Sequence, residues 1–179
     1  TTFQYGPPVG LDFGPFANVL DLNGIKIAFS IDGVGSKIMI CELMDQYSLI
    51  GIDCVAMNVN DILCVGAKPQ SMLDYISAEV IDENTLGQIG QGLADGAKEA
   101  DINIVGGELA HLPELLSGAT TKGAVDLAGT CIGTLIFEDP ITGQKIQPGD
   151  KIVGLSSAGL HSNGFTLARK ILNLGTQTP

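Results

Sequence analysis

The sequence has no tryptophan, and Arg169 is its one arginine. Nine lysines and arginines against twenty aspartates and glutamates leave a formal net charge of −11. That balance excludes a nucleic acid or an anionic membrane as the main partner, because both are held by clustered cations. A phosphate-bearing ligand could not be gripped by an arginine cluster, so backbone N–H groups, a few lysines and metal ions would have to supply the positive field. No apolar run approaches the roughly 18 residues that a membrane helix needs, and the N-terminus lacks the charged-then-apolar order of a leader. The cytoplasm is the expected compartment. Cysteine is scarce as well. Cys41, Cys54, Cys64 and Cys131 show no CxxC pair or zinc spacing and lie in or beside apolar stretches, which reads as buried free thiols.

What is present is enough to fold. With 45% apolar residues in a chain of 179, a core can form without disulfides or metals, and the length fits one domain plus the start of another. Thr1 in place of Met, and an end at Pro179 just after an amphipathic segment, predict a piece of a longer chain. Residues 1–24, with Gly6, Pro7, Pro8, Gly14 and Pro15, read as an extended arm able to close over a ligand. Residues 25–31 alternate as a strand, 48–65 have helical spacing ended by Gly66 and Pro69, and 71–80 form a strand. Asp82 is the expected N-cap of a helix reaching Ala100, followed by a short strand at 102–105 that breaks at Gly106 and Gly107. A strand at 125–137, a turn at 147–150, a strand at 151–157 and a helix at 162–172 complete the order. The expectation is an α+β fold, a mixed sheet with helices on one face in ferredoxin-like order. It divides into an arm at 1–24, a ligand-binding domain at 25–146 and the start of a second domain at 147–179.

Four places could carry chemistry. The loop Asp32-Gly33-Val34-Gly35-Ser36-Lys37 has glycines that let N–H groups approach a phosphate, a hydroxyl and a cation; a plain turn at a strand end uses the same residues. It is neither a Walker A motif nor GxGxxG, since Ile38 stands where the last glycine belongs. Asp61 falls in the last helical turn, where the dipole penalises a carboxylate by about 0.3–1 kcal/mol, so either a cation or solvent compensates. Asn58 and Asp61 share a face, and with Asn60 they could offer oxygens to Mg²⁺. Glu108, after Gly106 and Gly107, is a carboxylate at a sheet mouth or part of a turn. His161 precedes a helix whose expected N-cap is Ser162 or Asn163, a place that attracts anions and that also suits a surface histidine.

Taken in order, these stretches resemble the aminoimidazole ribonucleotide synthetase family across nearly the whole chain. The loop at 32–37 is similar to that family's DGVGTK, and GIDCVAMNVNDI at 51–62 to its GIDLVAMCVNDI helix. GAKP at 66–69, LDY at 73–75, VGGE at 105–108, DLAG at 126–129 and HSNGF at 161–165 follow in register. The resemblance implies ATP-dependent closure of formylglycinamidine ribonucleotide to aminoimidazole ribonucleotide, with Mg²⁺, in a homodimer paired through the sheet. It implies an ATP site at Gly33, Gly35, Ser36, Lys37, Asn60 and Asp61, a metal site at Asp32, Asp61 and Asp74, and a catalytic group of Glu108, His161 and Asn163. Alternatives are another ATP-using enzyme of the same superfamily or an inert nucleotide-binding module. GGELAHLP at 106–113 departs from the family's GGETAEMP, with Leu109 for a hydroxyl and His111 for a carboxylate.

Overall fold

The computed structural model of the protein describes residues 4–6, 8–118, 120 and 122–174. Of the features named above, Thr1, Pro7 and the end of the chain from 175 to 179 lie outside the described residues. The elements are β1 (Asn18–Leu22), β2 (Ile25–Gly33), α1 (Ile38–Met44), α2 (Ser48–Cys64), β3 (Ala67–Ala78), α3 (Glu83–Ala100), β4 (Asn103–His111), β5 (Val125–Leu135) and α4 (Phe165–Leu172), with a 3₁₀ turn at Gly35–Lys37 leading into α1.

The strands make one five-stranded sheet in the order β1-β2-β5-β3-β4. Only β3 and β4 are parallel, joined over the sheet by α3; every other neighbouring pair is antiparallel. An α+β fold with a mixed sheet is therefore what forms. The ferredoxin-like order is not. That order runs β-α-β-β-α-β, whereas from β2 onward this chain runs β-α-β-α-β-β, because a crossover through α3 lays β4 beside β3 before β5 returns to fill the gap between β2 and β3.

The core lies between the sheet and α2. Ile50, Cys54, Asn58 and Ile62, four residues apart, are all buried on the side of α2 that meets β2, β5 and β3. The other flank of α2 meets α3, whose N-cap Asp82 accepts a hydrogen bond from the Thr85 N–H at 2.8 Å, as the sequence predicts. The two helices touch backbone to backbone. A Cβ on Gly92 would sit 1.8 Å from the Ser48 carbonyl oxygen, so only glycine permits this crossing.

The structure corrects several expectations. The supposed arm supplies β1, which pairs with β2 over Asn18↔Phe29 to Leu22↔Ile25. β4 continues through Gly106 and Gly107 to His111, because β3 offers a ladder partner at each step. Residues 151–157 form no strand: every one is exposed, Ile152 at 99%, and a strand pattern with no neighbour to pair with gains no ladder. α4 starts at Phe165 with Gly164 as N-cap, so neither Ser162 nor Asn163 caps it. Cys41, Cys54 and Cys131 are buried thiols, but Cys64 is exposed at the end of α2. The bare face of the sheet carries Phe29 and Ile31 of β2 and Leu73 and Tyr75 of β3, while β5 presents Asp126, Ala128, Thr130, Ile132 and Thr134 there. Among the described residues no helix is long and apolar enough to cross a membrane.

Candidate functional site

Register across the sheet sets the first part of the site. Asp32 of β2, Gly129 of β5, Asp74 of β3 and Gly107 of β4 stand side by side in one row. Asp32 and Asp74 are separated by two strand spacings, about 9–10 Å. Both share the side-chain phase of residues that face the helices, Ser30 and Met72. The glycines between and beside them are required by close approach. A Cβ on Gly129 would meet Met72 Cε at 2.0 Å and Asn58 Nδ2 at 3.0 Å, and one on Gly107 would meet Asp74 Oδ1 at 2.4 Å.

Asn58 clasps this row from above. β1 pairs with β2 only as far as Phe29, so the Asp32 peptide lies past that pairing. The Asn58 amide takes it up: Oδ1 accepts from the Asp32 N–H at 3.1 Å, and Nδ2 donates to the Asp32 carbonyl at 3.2 Å and to the Cys54 carbonyl at 2.9 Å. Ser30 Oγ donates to the Asn58 carbonyl at 2.9 Å. Asn58 is fully buried, so its oxygen is spent inside the protein and is not a metal ligand, contrary to expectation.

Asp61 lies one turn further along α2 and is half-buried. Burial first, and the negative charge of Asp32 second, push its carboxyl above the ordinary carboxylate range. Burial likewise raises Asp74, outweighing the lowering effect of a backbone hydrogen bond. Asp74 opens onto a cavity of about 590 Å³ lined also by Ile76, Leu93, Ala97, Lys98 and Ile104. A hollow of about 790 Å³ between Gly10, Leu11 and the stretch 137–146 holds none of the expected site residues. No three His, Cys, Asp or Glu side chains converge on one metal position among the described residues, so Asp32, Asp61 and Asp74 do not form a ready-made triad. A pair suffices for Mg²⁺, which takes one or two carboxylates plus phosphate oxygens and water. Asp32 and Asp61, hard oxygen donors whose charges disfavour each other, fit that need.

The glycine loop follows directly. The Gly33 N–H donates to the Asp32 carboxylate at 2.8 Å and the Val34 N–H to the Leu127 carbonyl at 3.0 Å, while Gly35 takes the left-handed φ of 58° that turns the chain into α1. Ser36 Oγ shares a hydrogen bond with Thr166 Oγ1 at 2.8 Å. Lys37 pairs with the Asp53 carboxylate, donates to the His161 carbonyl at 3.2 Å and lies 5.2 Å from the Phe165 ring centre. The loop and the 161–166 segment, 124 residues apart at the Lys37 contact, are thus joined.

His161 is brought to this junction through its backbone; its exposed ring bonds Ser157 Oγ at 2.8 Å. Asn163 and Asn60 are exposed. Glu108 pairs with Tyr75 in the register and so has the phase of the bare face, opposite to Asp32 and Asp74. The structure does not group Glu108 with His161. Asp53 and Ser157 are the contacts that sequence reasoning missed, and Asn58 has a different role from the one it considered.

The family described as AIR synthase related protein, N-terminal domain, matches residues 15–135, the span that carries β1 to β5. The chain belongs to this family. Phosphoribosylformylglycinamidine cyclo-ligase of Pyrococcus horikoshii is 47% identical over 161 residues, 90% of this chain and 46% of its own length. The cyclo-ligase of Methanothermobacter thermautotrophicus is 48% identical over 158 residues, 88% of this chain and 45% of its own. The chain therefore spans less than half the length of these curated relatives. Among solved structures, hydrogenase maturation protein HypE in complex with ATP aligns with a TM-score of 0.54 over 78% of this chain and 38% of its own, at 23% identity, which is a likeness of fold alone.

Proposed function

We propose that this chain is the nucleotide-binding part of a cytoplasmic, ATP-dependent cyclo-ligase that closes formylglycinamidine ribonucleotide to aminoimidazole ribonucleotide, releasing ADP and phosphate. The observation that carries the reading is its 47% identity to an archaeal cyclo-ligase over 90% of the chain. The site geometry supports it: Asp61 is near enough to Asp32 to feel its charge, beside a loop built on Gly33 and Gly35.

ATP, when bound, supplies the phosphoryl group that turns the formamide oxygen into a leaving group for attack by an amidine nitrogen. The residues here position and neutralise. Asp32 and Asp61 would hold Mg²⁺, with Asp74 as a further carboxylate across Gly129. The Gly35 N–H, the Gly33 N–H now on Asp32, Ser36, Lys37 and Asn60 would meet the nucleotide. His161 and Asn163, with Glu108 on its own side of the sheet, would line the ribonucleotide. Residues 25–146 together with β1 would be the binding unit and 147–179 the beginning of a second domain, which accounts for the exposed apolar side chains of Ile152, Val153 and Leu155. A second copy packed on the bare sheet face would cover Phe29, Ile31, Leu73 and Tyr75 as a homodimer.

Calorimetric titration of the chain with a non-hydrolysable ATP analogue, with and without Mg²⁺, tests the reading, and a sedimentation run tests the dimer. Metal-dependent binding is expected, and Asp61→Ala should raise Kd about tenfold or more. A folded chain that binds no analogue would overturn the nucleotide site. A monomer at tens of micromolar would remove the dimer.

A further inference from the structure

Lys37 is the one lysine of the glycine loop, and its ammonium is enclosed on three sides. Asp53, from the first half of α2, faces it with Oδ2; the His161 carbonyl accepts from it at 3.2 Å; the Phe165 ring lies 5.2 Å away. The Lys37 and Asp53 side chains are only 19% and 18% exposed. Asp53 Oδ2 is buried, and among the described residues the Lys37 ammonium is its one polar partner. Without that cation Oδ2 would lose its polar partner in a largely buried place, which is unfavourable. The pair is therefore held in place and is not a surface ion pair that solvent can dissolve.

We propose that Asp53 is the positioning residue of this junction: its carboxylate fixes the Lys37 ammonium so that one amino group braces both the glycine loop and the 157–166 segment. The proposal deepens the nucleotide reading and rests on it where Lys37 meets phosphate. A free lysine side chain samples many rotamers, and the entropy of ordering it opposes each new phosphate contact. Asp53 removes that freedom before a nucleotide arrives. Through the same nitrogen it anchors the His161 carbonyl, and Ser36 on Thr166 adds a second tie next to it. Asp53 thus sets how the nucleotide loop and the histidine loop stand to each other without touching either ligand.

The test uses the full chain as Asp53→Asn, Asp53→Glu, Lys37→Gln and the double variant Asp53→Asn with Lys37→Gln. Hydrogen exchange of peptides covering 165–174, where the α4 amides are hydrogen-bonded beside the glycine loop, is followed without nucleotide, and Kd for the Mg²⁺-loaded ATP analogue is measured alongside. Asp53→Asn should speed exchange at 165–174 about tenfold while β3 and β5 keep wild-type protection, and should weaken analogue binding about tenfold. Asp53→Glu should recover most of both, and the double variant should be no worse than Lys37→Gln alone. Unchanged exchange at 165–174 in Asp53→Asn overturns the proposal. So does an Asp53→Glu variant that behaves like Asp53→Asn, or analogue binding that tightens when the carboxylate is lost. If wild-type chain binds no analogue, the nucleotide reading fails, and exchange at 165–174 still decides the role of Asp53.

Discussion

Asn58 is the residue on which the inner wall of the site depends most, and its removal gives a calculable loss. Its amide satisfies both the N–H and the carbonyl of Asp32 from a position with no solvent exposure. Alanine there would strand both backbone groups. Each buried polar group left without a partner costs about 1–3 kcal/mol; with the two groups each near the middle of that range, the expected loss is about 3–4 kcal/mol. Against a typical domain stability of about 5–15 kcal/mol this is a large fraction. With a urea dependence of about 2 kcal/mol per molar, the unfolding midpoint should fall by about 1.5–2 M. Urea unfolding followed by circular dichroism reads this directly. Asn58→Leu, which keeps a branched side chain with the same number of heavy atoms, separates the loss of atoms from the loss of hydrogen bonds: it should lose nearly as much as Asn58→Ala, because the Asp32 peptide is equally abandoned. A midpoint shift below about 0.5 M for either variant would refute the reasoning.

Two further outcomes follow from burial and charge. The Asp61 carboxyl is raised by burial and by Asp32, so the folded chain binds its proton more tightly than the unfolded chain and stability falls as pH rises through the carboxylate range. Asp61→Asn should therefore raise Tm at pH 7 in the presence of a chelator, and the gain should vanish once pH is below the ordinary value of 3.8; a lower Tm at pH 7 would contradict the sign. Cys54 is fully buried and its thiol is pushed up to about 12, first by burial and then by the surrounding aspartates, while Cys131 is pushed up to about 11 by burial and Cys64 is exposed. A thiol reagent at pH 8 should label one cysteine quickly, Cys64, and the other three only in denaturant; rapid labelling of Cys54 would show that α2 does not close over the sheet as described.

How much of this was legible depends on whether a residue's role is set by its own neighbours in sequence. α2 and α3 were, because apolar spacing and the Asp82 cap are local signals. β1 was not: Asn18–Leu22 sits among glycines and prolines, and becomes a strand by folding back on β2. α1 was missed because its run of apolar residues starts from a 3₁₀ turn with no side-chain cap to announce it. In 151–157 the pattern of a strand was visible, yet a strand is a relation between two segments and this one has no partner here.

The same distinction explains the site. Asn58 lies three residues from Asp61, which makes it a possible oxygen donor to a metal, but it also lies four from Cys54 and four from Ile62, in step with the buried stripe of α2. That phase puts its amide into the sheet and leaves Asp61 at the rim, a conclusion that the sequence permits once the stripe is weighed above the neighbouring acid. Asp53 could not be found this way, since its partner Lys37 lies on a different element and the second tie comes from His161. Nor could the row of Asp32, Gly129, Asp74 and Gly107, which exists only because β5 returns between β2 and β3. The two carboxylates are local features of two separate motifs; their alignment on one side of one sheet is a property of the strand order, and the glycines beside them are small because Met72, α2 and Asp74 occupy the space where side chains would be.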